Sequence, residues 1–258
     1  MKLAFRKQGE GSKNLIICHG VFGSSDNWLT VSKLLSPAYT IWMVDMRNHG
    51  RSEHTEVHSY EAMAADLVEF ITDHHLLGAV LLGHSMGGKA VMQFAWKHSH
   101  LISKLVVVDI APRFYGKHHD NILEGLGAIP IATLQNRQDA DTILSQYVKE
   151  SDTRQFLLKN LYRKEEGGFG WRINLPTLKN TIENIGESLP ETAEIALPTL
   201  FIRGELSYYI RDTDLELIGQ IFKDYQLVTI ANAGHWVQAE QPKACLLYTS
   251  PSPRDRTR

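Results

Sequence analysis

The stretch that decides the fold is AVLLGHSMGGKAVMQFAWKH, residues 79–98. Ala79 to Leu82 is an apolar run, Gly83-His84-Ser85-Met86-Gly87 follows, and Ala90, Val91, Phe94 and Ala95 then recur at helical spacing. Strand, sharp turn and helix in that order give the serine a mechanical meaning. At the tip of such a bend Ser85 takes strained dihedrals, and Gly83, Gly87 and Gly88 let strand and helix approach without Cβ clashes. Its hydroxyl is held out above a sheet, as a nucleophile's would be. The Gly-x-Ser-x-Gly pattern alone is weak, because glycine and serine fill ordinary loops; the flanking strand and helix carry the inference.

Upstream, Lys2 to Lys7 alternates like an edge strand, and Asn14 to Cys18 reads as a buried strand ending in His19-Gly20-Val21-Phe22-Gly23-Ser24-Ser25. Acyl transfer needs N–H donors aimed where a carbonyl oxygen becomes an oxyanion, and a glycine-flanked loop after a central strand can supply one. Val21 N–H is the first choice, with Phe22 the alternative, and Met86 N–H at the start of the helix is the second donor. His19 reads as a structural brace. Thr40 to Val44 is a further strand, and the turn after it contains Asp45, Arg47 and His49, read as a hydrogen-bonded buttress for the neighbouring loops. Tyr60 to His74 carries Met63, Leu67, Phe70 and Ile71 at helical spacing, as a helix covering one face of the sheet would.

Downstream, Lys104 to Val108 is a parallel-type strand ending at Asp109, and Leu197 to Arg203 is another, followed by Glu205 and Asp212. An acid that orients a catalytic histidine belongs at such a strand end, so the spacing leaves Asp109, Glu205 and Asp212 open. Between these strands the clean periodicity is lost. Residues 112–196 read as a helical cap, with helices over Ala140 to Val148 and Thr153 to Tyr162 and an extended piece holding Phe169 and Trp171 on one face. Phe22, Phe169 and Trp171 are candidate pocket residues. Arg113, Lys117, His118 and His119 read as a solvated loop that could meet an anionic leaving group, the two adjacent histidines pointing apart and without metal-site spacing. Asp214 to Phe222 is helical and Gln226 to Ile230 is the last strand, delivering Gly234-His235-Trp236. The chain order Ser85, acid, His235 is that of an α/β-hydrolase, with His235 as base.

Composition narrows the classes. With 27 Lys+Arg against 29 Asp+Glu in mixed order over 258 residues, neither a nucleic-acid footprint nor an anionic-membrane patch is indicated. A small-molecule ligand is expected. Cys18 and Cys245 make no disulfide framework, the opening MKLAFRKQGEGS lacks an apolar signal core, and no apolar run approaches the roughly 18 residues of a membrane span. The expected location is cytoplasmic.

HGVFGSSDNW (19–28), DMRNHGRS (45–52), GHSMGGKAVM (83–92), VVVDIAP (106–112), RGELSYYI (203–210) and AGHWVQAEQP (233–242), in that order, resemble the YbfF-like esterases of the α/β-hydrolase superfamily, relatives of mitochondrial ABHD-type hydrolases. The resemblance covers residues 1 to about 244. It implies a mostly parallel sheet with helices on both faces, a core of residues 1–111 and 197–244, and the cap between them. It implies Asp109 as the acid with Ser207 as its helper, Ser85 as nucleophile and His235 as base. It further implies hydrolysis of carboxylic esters or acyl-CoA thioesters through an acyl-enzyme, without cofactor or metal, and often a homodimer. Cofactor-free haloperoxidation or C–C hydrolysis on the same triad, or a ligand receptor with a vestigial site, are the rival readings. Residues 245–258, CLLYTSPSPRDRTR, depart from the pattern: Pro251 and Pro253 forbid the amphipathic helix of the relatives, and the tail reads as non-native.

Overall fold

The structure is a computed structural model that describes residues 1–244; the tail at 245–258 and Cys245, with the expectations attached to them, lie outside the described residues. Strands β1 (Phe5–Gln8), β2 (Lys13–Cys18), β3 (Tyr39–Val44), β4 (Ala79–His84) and β5 (Ile102–Val108) alternate with helices α1 (Leu29–Leu35), α2 (Tyr60–Asp73) and α3 (Met86–His98). A long insertion then carries helices α4 (Asp120–Ala128), α5 (Arg137–Leu144), α6 (Ser151–Leu158) and α7 (Leu175–Thr181), with strands β6 (Leu161–Arg163) and β7 (Phe169–Trp171) paired antiparallel. The chain returns through β8 (Thr199–Gly204), α8 (Leu215–Ile221), β9 (Tyr225–Ile230) and the short α9 (Val237–Glu240).

Seven strands form one sheet in the order β1-β3-β2-β4-β5-β8-β9, parallel except for β1, which pairs antiparallel with β3 at the edge. The apolar runs in β2, β3, β4 and β5 exist because a parallel sheet is covered on both faces. Alternate residues separate cleanly: Ile16 and Cys18 pack with α2, α3 and α8, whereas Leu15 and Ile17 pack with Val31 and Leu35 of α1 and Val237 of α9. Helix α2 starts where the Ser59 side chain accepts the Ala62 N–H, and it buries Met63, Leu67, Phe70 and Ile71. Strand order reverses between β2 and β4, so the loops leaving their C-terminal ends diverge and open a crevice between them.

The insertion has an apolar cluster of its own, built on Leu123, Leu126, Leu144, Leu157 and Leu178, with Phe22 of the β2 loop packed into it. Two helices of the insertion differ from the sequence reading at both ends. Helix α5 begins at Arg137 and stops at Leu144, and α6 stops at Leu158, leaving Leu161 to Arg163 as strand. At the end of α6 the contact is a distant one: Asn160 Nδ2 donates to the Phe22 carbonyl at 2.7 Å and to the Leu157 carbonyl at 3.1 Å, which fastens that end against the core loop. Gly167 and Gly168, at φ +94° and +77°, then make the turn that returns β7 beside β6.

The two segments joining insertion to core are themselves fastened. Tyr115 N–H donates to the Gly186 carbonyl at 2.8 Å and Leu189 N–H to the Pro112 carbonyl at 2.9 Å. Beneath them Lys89 of α3 is fully buried, and its ammonium donates to the carbonyls of Arg113 and, at 2.7 Å, Glu187. Burial first, then the Arg113 charge, against the pull of Glu187, lowers this lysine to about 7. Among the described residues no helix is long and apolar enough to cross a membrane.

Candidate active site

Ser85 occupies the bend between β4 and α3 at φ 53° and ψ −118°, a left-handed backbone that its surroundings must enforce. The glycines explain how. A Cβ on Gly83 would lie 2.2 Å from the Gly87 carbonyl oxygen, and one on Gly87 would lie 2.4 Å from that of Cys18. Ser85 N–H donates to the Val108 carbonyl at 3.1 Å, which ties the bend to the end of β5. Ser85 Oγ makes no hydrogen bond among the described residues and faces a cavity whose wall also includes His235.

Asp109, the first residue after β5, also has positive φ, at 49°, and its carboxylate is fully buried. Oδ2 accepts the His235 Nδ1–H at 2.8 Å and the Ser207 hydroxyl; Oδ1 accepts the Gly204 N–H at 3.1 Å. Three donors on one buried carboxylate compensate its desolvation. Ser207 in turn accepts the Tyr209 N–H at 3.2 Å. The other two acids are engaged elsewhere: Glu205 accepts the Asn232 N–H at 2.9 Å, and the exposed Asp212 pairs with Arg203 at 2.6 Å. Of the three acids left open by spacing, only Asp109 meets His235.

The loop after β2 is held by two neutral histidines. His19 Nε2 accepts the Met46 N–H at 3.0 Å while Nδ1–H donates to the Gly20 carbonyl at 2.8 Å. His49 Nε2 accepts the Phe22 N–H at 3.2 Å while Nδ1–H donates to the Arg47 carbonyl at 2.9 Å. Phe22 N–H, the alternative oxyanion donor, is thus paired with His49. Val21 N–H has no partner among the described residues, and Met86 N–H, at the first turn of α3, has no partner within the helix. Asp45 locks the same region by accepting the Ser25 N–H at 2.6 Å and the Arg51 N–H at 2.9 Å, and Arg47 forks onto Asp66 at 2.7 and 2.8 Å.

Phe22 lines the cavity, but Phe169 and Trp171 do not. Phe169 is buried in the insertion's own cluster and Trp171 packs against it, so the hairpin they share spends its apolar face on the cap and not on a pocket. His118 and His119 also differ from expectation. Their rings lie 4.0 Å apart and both face the cavity. His118 Nε2 is 2.8 Å from the Tyr209 hydroxyl. No group of His, Cys, Asp and Glu among the described residues could hold a metal ion.

Two neighbours of His235 were not singled out by sequence. Tyr209 stacks on the imidazole with ring centroids 3.8 Å apart and planes at 18°, and His84 Nε2–H donates to the His235 carbonyl at 2.8 Å. His84 sits inside the serine motif itself, and Tyr209 lies two places beyond Ser207; only the folded contacts give either a role.

His19, His49, His58 and His84 are all buried, and burial is the main force lowering each below the usual histidine range, His58 to about 4. The unfolded chain therefore binds protons below pH ~6.5 that the folded chain refuses, so their contribution is complete above that value and is lost as pH falls toward 4. The expected result is a urea midpoint that drops between near-neutral pH and about pH 5. Protonated His19 and His49 also turn a donor toward a donor, so the loop that carries Val21 should loosen first. Equal midpoints at both pH values would contradict the account.

The sheet, the bend at Ser85 and the acid–histidine pair beside it define the class, an α/β-hydrolase, and a family described as the alpha/beta hydrolase fold matches residues 13–134. Esterase YbfF of Escherichia coli K12 is 38% identical over 253 residues, covering 95% of this chain and 96% of that protein. The sn-1-specific diacylglycerol lipase ABHD11 of Mus musculus is 38% identical over 238 residues, covering 89% of this chain and 77% of the lipase. A solved structure described as a marine microorganism esterase superposes with a TM-score of 0.94 at 42% identity, over 96% of this chain and 98% of that one. The chain belongs to the YbfF-like esterase family of α/β-hydrolases.

Proposed function

We infer that the protein is a serine esterase that hydrolyses carboxylic esters, with acyl-CoA thioesters in the same substrate class, through a covalent acyl-enzyme. The observation that carries this reading is the His235–Asp109 hydrogen bond of 2.8 Å beneath a cavity that Ser85 and His235 both line. With Nδ1–H committed to Asp109, the Nε2 lone pair is free to take a proton. Ser85 Oγ attacks the carbonyl carbon as its proton passes to His235. The oxyanion is met by the N–H groups of Val21 and Met86, residues that share a cavity wall with Ser85. The bond from carbonyl carbon to leaving oxygen (or sulfur) then breaks, and His235 gives its proton to the departing atom. Water repeats the sequence: it loses a proton to His235, adds to the acyl carbon and releases Ser85 with that proton.

Ser207 and the Gly204 N–H hold the Asp109 carboxylate in place against His235, and residues 112–196 act as the cap that governs entry. The reading requires no cofactor. A cytoplasmic location and a homodimer belong to the same reading through the family resemblance, and light scattering in solution tests the second.

The direct test is a panel of p-nitrophenyl esters and acyl-CoA thioesters with wild type and Ser85→Ala. Burst kinetics from an accumulating acyl-enzyme in wild type are the expected signature. A panel on which both proteins are equally slow, while peracid bromination proceeds, would move the protein to the haloperoxidase reading.

A further inference from the structure

Ser85 stands between two cavities of unequal size. The larger, of about 260 Å³, includes His235 in its wall, together with the apolar Phe22, Trp28, Ile122, Phe156 and Leu157 and with polar side chains such as Asn27, Thr153 and Gln238. The smaller, of about 20 Å³, has Ile110, Tyr115, Ile182 and Ile185 in its wall together with Lys117, His118 and His119, and His235 is not part of it. Val21, Ser85, His118, His119 and Tyr209 border both. An ester bound at Ser85 must therefore place its two halves in unlike chambers.

The chemistry assigns the halves. His235 returns its proton to the leaving oxygen, so that oxygen must depart on the side where the imidazole stands. The acyl chain, bonded to the opposite side of the reacting carbon, points into the other chamber. Resting on the esterase reading above, we propose that the small cavity holds the acyl group and the large cavity the alcohol, making this an esterase for short acids esterified to apolar alcohols of several carbons.

A space of about 20 Å³ is little more than one water-sized sphere, enough for a methyl or ethyl group. Its apolar wall is held in place at Tyr115, Ile182 and Ile185. Tyr115 Oη accepts the Ala111 N–H at 2.8 Å and donates to the Tyr209 carbonyl. The Ile185 carbonyl accepts the Tyr60 hydroxyl at 2.6 Å, and Ile182 is buried in the insertion's cluster. Walls held by hydrogen bonds and close packing do not swell cheaply around a longer chain. The large chamber, by contrast, offers apolar surface that rewards each added methylene of the alcohol.

Two substrate series test the assignment. With p-nitrophenol as the fixed alcohol, kcat/KM is expected to fall at least about tenfold from acetate to octanoate; with acetate fixed, it should rise about tenfold from ethyl to hexyl. Ile185→Ala and, separately, Ile182→Ala should raise the octanoate-to-acetate ratio by about tenfold by opening the small chamber. The wild-type series decide the matter even if a variant fails to fold. Octanoate faster than acetate, with no gain from ethyl to hexyl, overturns the assignment while leaving the esterase reading intact. No ester turnover, or equal turnover by Ser85→Ala, removes the esterase reading and this proposal with it.

Discussion

Ser85→Ala is expected to lower kcat for ester hydrolysis by about 10⁶-fold, the scale seen when the nucleophile of a cooperating triad is lost. The reason is physical interdependence. His235 can polarise nothing without a hydroxyl to deprotonate, and the donors of Val21 and Met86 then meet an oxyanion formed only by direct attack of water. The substitution should leave the fold intact, since Ser85 Oγ has no hydrogen bond to lose among the described residues, and alanine meets the same φ of 53° that serine already tolerates. A fluorophosphonate should label wild type at Ser85, read as a mass shift on the peptide containing residues 83–87, and should not label the variant. Labelling elsewhere with activity retained in the alanine variant would end the nucleophile assignment.

Asp109→Asn is expected to cost about 10⁴ in kcat with little change in KM. An amide in place of the carboxylate can present its NH₂ to Nδ1, which favours the tautomer with the proton on Nε2, the wrong atom for accepting one from Ser85. Ser207→Ala should be milder, about tenfold, because it removes one of three donors and leaves the other two, the His235 Nδ1–H among them, on the carboxylate. Glu205→Gln should change kcat little, since Glu205 holds the Asn232 backbone at 2.9 Å and does not contact His235. The comparison is made by steady-state kinetics on one ester, with thermal melting to establish that each variant is folded. If Glu205→Gln proves the costlier, the acid lies after β8 and not after β5.

The parallel sheet was legible because doubly covered strands must be apolar throughout, and the Ser85 bend because a strand and a helix can meet that closely only over glycine. The acid was not legible from spacing. Asp109 and Glu205 both follow neighbouring strands, and which one meets His235 depends on where the loop after β9 comes down, a matter of three dimensions that only the family resemblance anticipated. The helix ends in the insertion were hidden for the same reason. Nothing near Asn160 in the sequence says that its amide will find the Phe22 carbonyl 138 positions away. Phe169 and Trp171 had the right chemistry for a pocket and the wrong address, because the cap must fill its own interior before it can line anything. Tyr209 could not be found at all from local pattern, since stacking on an imidazole leaves no periodic trace.

The buried ammonium of Lys89 sets a limit on how the lid can work. The two carbonyls it grips belong to the chain segments that leave for the insertion and come back from it, so moving the whole insertion at its base would leave a buried amine without its two hydrogen-bond acceptors. The part of the insertion that lines the larger cavity, Ile122 of α4 and Phe156 and Leu157 of α6, lies in the chain between those two fastened segments. One corollary concerns engineering: an exchanged roof that keeps those two carbonyls on the lysine inherits an undisturbed floor, whereas one spliced nearer the helix would unsettle the turn that presents the hydroxyl.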